Sequence, residues 1–138
     1  MLFLGHERGS LGGELAVLSD VPKTMVYQIA EYINQKSEVI HQEIIQKAPS
    51  AELKSNQFDQ DTLPPYPILD QIIELWIEDG FSIEEITARG FDCRTVLWTV
   101  QRIDQNEHKR KQAPQGLKVT SKAFGSGRRM PIAADYSY

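Results

Sequence analysis

Cysteine is nearly missing from this 138-residue chain, in which Cys93 stands alone. A single thiol excludes an internal disulfide and a cysteine-built zinc cluster. Histidine is scarce as well. His6, His41 and His108 lie far apart, without the short spacings that metal ligands use. No apolar run approaches the roughly 20 residues of a membrane-spanning helix. The opening Met1-Leu2-Phe3-Leu4 is too short, and too soon followed by charge, to be the apolar region of a secretion signal. The expected compartment is therefore the cytoplasm. No segment recurs at a fixed period. A nucleophile with a base in reach is also lacking. Cys93 follows a helix cap, a place that can lower a thiol pKa, but no histidine is placed beside it, and a small packed side chain is the simpler reading. Gly9-Ser10-Leu11-Gly12-Gly13 has neither the lysine of a phosphate-binding loop nor the spacing of a dinucleotide fingerprint.

What remains is a chain with 41% apolar and 25% charged residues, enough for one globular domain. Its charge is uneven. Residues 1–101 carry 7 Lys/Arg against 16 Asp/Glu, whereas residues 102–130 carry 8 against 2. A basic final quarter suits a phosphate-bearing partner, or pairs with the acidic body. Nucleic acid is a poor fit, since Phe124 is the single aromatic in that stretch and stacking platforms need several.

Along the chain, Leu15-Ala16-Val17-Leu18 reads as a strand or the edge of a buried segment. Asp20-Val21-Pro22 reads as a helix start, with Asp20 as cap, and the helix ends near Asn34. Ser37 is expected to open a shorter helix that carries Ile40, Ile44 and Ile45 and stops before Pro49. Residues 49–67 hold four of the seven prolines and form a long loop, a length that is usually functional. From Pro67, Ile68, Leu69, Ile72, Ile73, Leu75, Trp76 and Ile77 give a wide apolar helix face that Gly80 ends. Ser82-Ile83-Glu84-Glu85 is a capping box. Asp92 caps a helix with apolar Val96, Leu97, Val100 and Ile103, which runs into the basic His108-Lys109-Arg110-Lys111. This helix pair has the size of a DNA-binding helix-turn-helix, but its second helix opens on an aspartate in acidic surroundings. Leu117-Lys118-Val119-Thr120 alternates like a short strand, and Gly125-Ser126-Gly127-Arg128-Arg129 reads as flexible and basic.

Several longer runs are more specific. They are Leu15 to Thr24, Lys47 with Pro49-Ser50-Ala51-Glu52-Leu53, Asp59 to Tyr66, Ala88 to Asp92, Asn106 to Pro114 and Gly116 to Gly125. In this order and register they resemble the C-terminal part of glutamine-dependent NAD synthetase, over about residues 12–132. Many runs in register weigh far more than one motif. The resemblance implies a mainly α chain that is the C-terminal helical portion of an α/β, Rossmann-like, adenine-nucleotide-hydrolase-like domain. Most of the parallel sheet would be missing. It also implies ATP with Mg2+ as cofactor and deamido-NAD as the other ligand, with assembly as a homo-oligomer or on full-length synthetase. Lys23, Lys47 and Ser50 match positions that meet ATP, and His108 and Lys109 match the pair that meets deamido-NAD. Residues 49–66 look like the cover of the ATP site. The resemblance supplies no catalytic residue and no metal ligand.

The sequence also departs from the family. The Ser-Gly-Gly-x-Asp-Ser phosphate loop is not found in it, nor is a glutaminase domain, and Ser10 stands where an aspartate is expected. The expectation is one partial synthetase domain over 1–138, with a diverged start at 1–11, like that of a truncated or frame-altered product, and a basic irregular tail at 113–138. Such a chain is expected to be inactive alone, with the apolar faces of Pro67–Glu78 and Asp92–Ile103 partly exposed for want of a sheet. The alternative is a non-catalytic helical module that associates with full-length synthetase.

Overall fold

Helices dominate the structure, a computed structural model that describes residues 15–47, 63–123, 127–128 and 130–132. The chain enters through strand β1 (Leu15–Ala16) and continues into helix α1 (Lys23–Ile33) and the short α2 (Gln42–Gln46). Helix α3 (Tyr66–Ile73) runs directly into a π-helical segment, Glu74–Asp79. Then come α4 (Ile83–Ala88), α5 (Cys93–Gln105), α6 (Glu107–Gln112) and strand β2 (Gln115–Gly116). β1 and β2 form a two-stranded parallel ladder, Leu15 opposite Gln115 and Ala16 opposite Gly116. A Cβ at Gly116 would collide with the Ser19 hydroxyl, so a larger residue there requires that side chain to turn away.

The core sits where α3, the π segment, α4 and α5 meet. Leu69, Ile77 and Ile103 form one buried cluster with Tyr66, Ile73 and Trp98 around it. Ile72, Ile86 and Val96 form a second, with Leu75, Phe81 and Phe91 around it. Trp76 packs against both clusters and joins them. The expected partial exposure of the Pro67–Glu78 and Asp92–Ile103 faces holds at Ile68, which is exposed, and at the half-buried Trp76 and Trp98, but not at their centres. Leu69, Ile72, Val96, Val100 and Ile103 are all fully buried, because these helices cover one another. Helix α1 is the opposite case and has no buried residue. Its Met25, Ile29, Tyr32 and Ile33 are exposed, as are Leu15, Val17 and Leu18.

Local punctuation mostly follows the sequence. Ser82 Oγ accepts from the Glu85 N–H and Glu85 answers by accepting from the Ser82 N–H, closing the capping box. Asp92 accepts from the Thr95 N–H at 2.9 Å. Gly80 ends the π segment at φ 74°, in the left-handed region. Four expectations change. The strong helix begins at Tyr66 with Pro67 inside its first turn, and its last six residues are π-helical. The second helix starts at Gln42, not Ser37, because Asn34 Oδ1 accepts from the Val39 and Ile40 N–H groups and holds that stretch as a turn. The helix from Asp92 breaks at Asn106, whose side-chain amide donates to the Arg102 carbonyl. The strand lies at 115–116 and residues 117–120 are irregular. Cys93 is exposed and does not pack.

Ile72→Ala, which empties a fully buried site, is expected to cost about 2–5 kcal/mol, read as a lowered urea midpoint. Ile44→Ala, at an exposed site, should stay within about 0.5 kcal/mol. The N–H and then the hydroxyl of Thr95 hold the Asp92 carboxyl below the ordinary aspartate range. Its capping contribution is present above the unfolded pKa and fades as pH falls through the lower folded value. Asp92→Asn should melt like the wild type at neutral pH and lose less stability on acidification. Equal acid sensitivity of the two would refute that assignment.

Candidate functional site

Two constellations carry polar chemistry. The first is a cleft of about 630 Å³ between α1, α3 with its π extension, and residues 119–121. Asp20, Thr24, Asp70, Glu74, Glu78, Thr120 and Ser121 give it polar walls, and Met25, Ile73, Ile77 and Val119 an apolar floor. Asp20 does not cap α1 as its position suggests. Its carboxylate accepts from the Val119 and Thr120 N–H groups, both at 2.7 Å, and from the Thr120 hydroxyl. The cap comes instead from α3, where Asp70 Oδ2 accepts from the Thr24 N–H at 2.9 Å and the Thr24 hydroxyl at 2.7 Å. The other oxygen, Oδ1 of Asp70, is buried without a hydrogen-bond partner among the described residues. Glu78 accepts from the Ser121 hydroxyl and the Lys122 N–H. Lys122 Nζ donates to the Ile77 carbonyl at 2.6 Å, a cation at the carbonyl end of the helix. Residues 119–122 are thus strapped to the turn before α1 and to the π segment.

The second constellation is a buried charge cluster at the α5–α6 corner. The side chains of Glu107 and Arg110 are 2% and 3% exposed, and pair at 2.7 Å. Arg110 also donates to the Ile103 carbonyl. Arg128 pairs with the buried Asp104 at 2.6 Å and lies 3.7 Å from Glu107. Burial pushes the Arg110 pKa down and Glu107 opposes it; the guanidinium stays charged, as arginine does in proteins. Among the described residues the cluster holds two carboxylates and two guanidiniums. It pins α6 against α5 and brings the tail segment at 128 onto the same corner.

The four described residues among the five sequence-predicted site residues lie on α1, at the end of α2 and on α6. Lys23 is the first residue of α1, half-buried, with its ammonium 5.4 Å from the Tyr27 ring centroid. Lys47 is exposed at the end of α2. Ser50 lies outside the described residues, as does most of the expected cover at 49–66. His108 and Lys109 are neighbours on α6, between the buried Glu107 and Arg110. His108 Nδ1 is 3.0 Å from the Gln105 carbonyl. A carbonyl only accepts, so this bond puts a proton on Nδ1 and leaves Nε2 as the acceptor of the neutral ring. Among the described residues no group of three or more His, Cys, Asp or Glu converges to hold a metal ion, and no helix is long and apolar enough to cross a membrane. Reading the sequence missed Asp70, since nothing local marks a cap delivered from another helix. It also missed the charge cluster, although Asp104, Glu107 and Arg110 recur at helical spacing of three and share a face.

Sequence comparison settles the class. The profile of the NAD synthase family matches residues 5–113. The chain belongs to that family. It is 51% identical over 124 residues to the glutamine-dependent NAD(+) synthetase of Aquifex aeolicus, and 48% identical over 126 residues to that of Thermotoga maritima. Each match takes in 90% of this chain and 22% of the relative. The chain therefore spans less than a quarter of the length of these relatives. A solved glutamine-dependent NAD+ synthetase from Acinetobacter baumannii, in complex with ADP, is 36% identical, with a TM-score of 0.49, over 87% of this chain and 20% of that one.

Glu107→Ala leaves Arg110 and Arg128 without their shared carboxylate, a change expected to cost about 3–5 kcal/mol. The double variant Glu107→Leu with Arg110→Met should recover much of that loss, because both charges leave together. Urea unfolding of the singles and the double forms the cycle. A double variant that loses the full sum of the singles shows that the pair does not act as a unit.

Proposed function

We propose that this chain supplies one wall of an ATP-dependent, amide-forming ligase site that converts deamido-NAD to NAD. In that reaction ATP adenylates the nicotinic acid carboxylate with release of pyrophosphate, and ammonia drawn from glutamine then displaces AMP. Lys109 gives deamido-NAD a point charge for a phosphate or carboxylate, and His108 offers a ring nitrogen. Lys23, Lys47 and Ser50 take the ATP side, where cations and a hydroxyl offset the charge that builds on departing pyrophosphate. Mg2+ enters with the ATP phosphates, its usual partners alongside one or two carboxylates. The observation that carries the reading is the 51% identity held over 124 residues. The rigid seat of Lys109 adds to it, since the buried Glu107–Arg110 pair flanks that side chain on α6.

The chain does not run this reaction by itself, because its sequence contains no Ser-Gly-Gly-x-Asp-Ser loop to grip pyrophosphate. A second reading, a non-catalytic module that associates with full-length synthetase, is favoured by the exposed apolar side chains of α1. Co-purification with that enzyme in the absence of any nucleotide affinity distinguishes it.

The chain incubated with ATP, Mg2+, deamido-NAD and ammonium should form no NAD. A chimera in which residues 12–132 replace the matching segment of the Aquifex aeolicus relative should form it. In that chimera Lys109→Ala should raise KM for deamido-NAD about tenfold or more, the loss of one charge-assisted hydrogen bond of about 1.5–3 kcal/mol. An inactive but folded chimera, or NAD made by the isolated chain, overturns the proposal.

A further inference from the structure

α6 is held poorly by its own backbone. It has six residues, no side-chain cap at its start, and a break at Asn106 that parts it from α5. Yet it carries His108 and Lys109. A turn of α6 about its axis would re-aim both, since successive side chains on a helix stand about 100° apart. What fixes that rotation therefore fixes the aim of the pair.

Arg128 reaches across the break from far along the chain. Its Nη2 pairs with Asp104 of α5 at 2.6 Å, and its Nη1 lies 3.7 Å from Glu107, the first residue of α6. The Asp104 and Glu107 side chains are 4% and 2% exposed, so solvent screens these contacts little. The cluster also responds as one. Asp104 and Glu107 both favour the charged form of Arg110, and Arg128 opposes it. With Arg128 removed, Asp104 competes with Glu107 for the Arg110 guanidinium across the break, and the pair that seats α6 loosens. Arg128 is itself anchored. A Cβ on the preceding Gly127 would overlap the Lys122 carbonyl, so the two backbones lie against each other there. Lys122 in turn donates its N–H to Glu78 and its Nζ to the Ile77 carbonyl.

We infer that Arg128 is a positioning residue for the ligand pair on α6. By bridging Asp104 and Glu107 it fixes the rotation of the helix, and through the helix the aim of His108 and Lys109, without touching the ligand itself. The inference rests on the proposed function, in which that pair meets deamido-NAD. It adds a determinant of affinity that lies about twenty positions beyond the contact residues.

Two readouts test it, one of them free of chemistry. In this chain, Arg128→Ala should speed amide hydrogen exchange in α6, where the Lys109 and Arg110 N–H groups bond the Asn106 carbonyl, while exchange in α5 stays as in the wild type. In the chimera with the Aquifex aeolicus relative, the same variant should raise KM for deamido-NAD about tenfold or more, since a displacement of about 1 Å can cost roughly a hundredfold. KM for ATP should not change, a split that general destabilisation does not produce. Arg128→Lys keeps a cation beside Asp104 but loses the planar fork, and should fall between alanine and the wild type. If Arg128→Ala does not fold, Asp104→Asn with Arg128→Met removes both charges together and should show the same rise. A folded variant with unchanged KM for deamido-NAD, an equal rise in both KM values, a lysine variant no better than alanine, or unchanged exchange in α6 overturns the inference. A folded wild-type chimera that makes no NAD defeats the proposed function instead, and the exchange measurement stands apart from it.

Discussion

Asp20 ties together segments from opposite ends of the described chain. Its carboxylate accepts from residues 99 and 100 positions away, at Val119 and Thr120. Bringing such distant segments together costs chain entropy that grows slowly with length, so a few charge-assisted hydrogen bonds suffice to hold the closure. Once it is made, Gly116 can lie against Ser19, β2 can pair with β1, and residues 119–122 can reach Glu78 and the end of the π segment. The cleft between α1 and α3 has a third wall only because this strap is in place. Asp70 closes the same cleft from the other side by capping α1 from α3. Two aspartates thus join elements that share little apolar contact.

The apolar burial is distributed in the opposite way. α3, α4 and α5 bury the centres of their faces against one another around Trp76. α1 buries no residue at all and is held by polar bonds at its first turn. The chain therefore has a hydrophobically stabilised half and a half that is positioned by hydrogen bonds. The second half is the one that carries the sheet, Lys23 and the cleft. A layer so arranged gains its apolar stabilisation only when another surface covers it.

The features legible in the sequence were those set by neighbours a few residues apart. The Ser82–Glu85 box, the Asp92 cap and the Gly80 stop are all local chemistry, and each lies where the residues place it. Errors arose where a distant partner competed. Asp20 has the spacing of a cap, but the N–H groups of Val119 and Thr120 claim its carboxylate. Ser37 looks like a helix start, but Asn34 holds the following turn. Leu117 to Thr120 alternates like a strand, yet the ladder is two residues earlier, where a glycine permits close approach. The apolar faces of 67–78 and 92–103 bury their centres against each other and leave Ile68 exposed, as the expected partial exposure requires. His108 and Lys109, expected to meet a ligand together, share α6. The buried carboxylates and guanidiniums that seat them were not legible, because charge runs normally signal a solvated face.

The buried pair fixes how the basic stretch is oriented on the fold. Residues 107–111 read Glu-His-Lys-Arg-Lys, and helical spacing would let any of the cations face a ligand. Arg110 is removed from the choice by burial against Glu107 and the Ile103 carbonyl. Breaking that pairing strands a charge in a low-dielectric interior, so rotation of α6 about its axis is opposed by several kcal/mol. Arg128 adds a second brace through Asp104 and Glu107, tying the tail to the same corner. The His108 ring is turned by the Gln105 carbonyl. A helix of six residues would fray if left to its own hydrogen bonds. Buried ion pairs convert it into a fixed platform, from which Lys109 leaves between the buried Glu107 and Arg110.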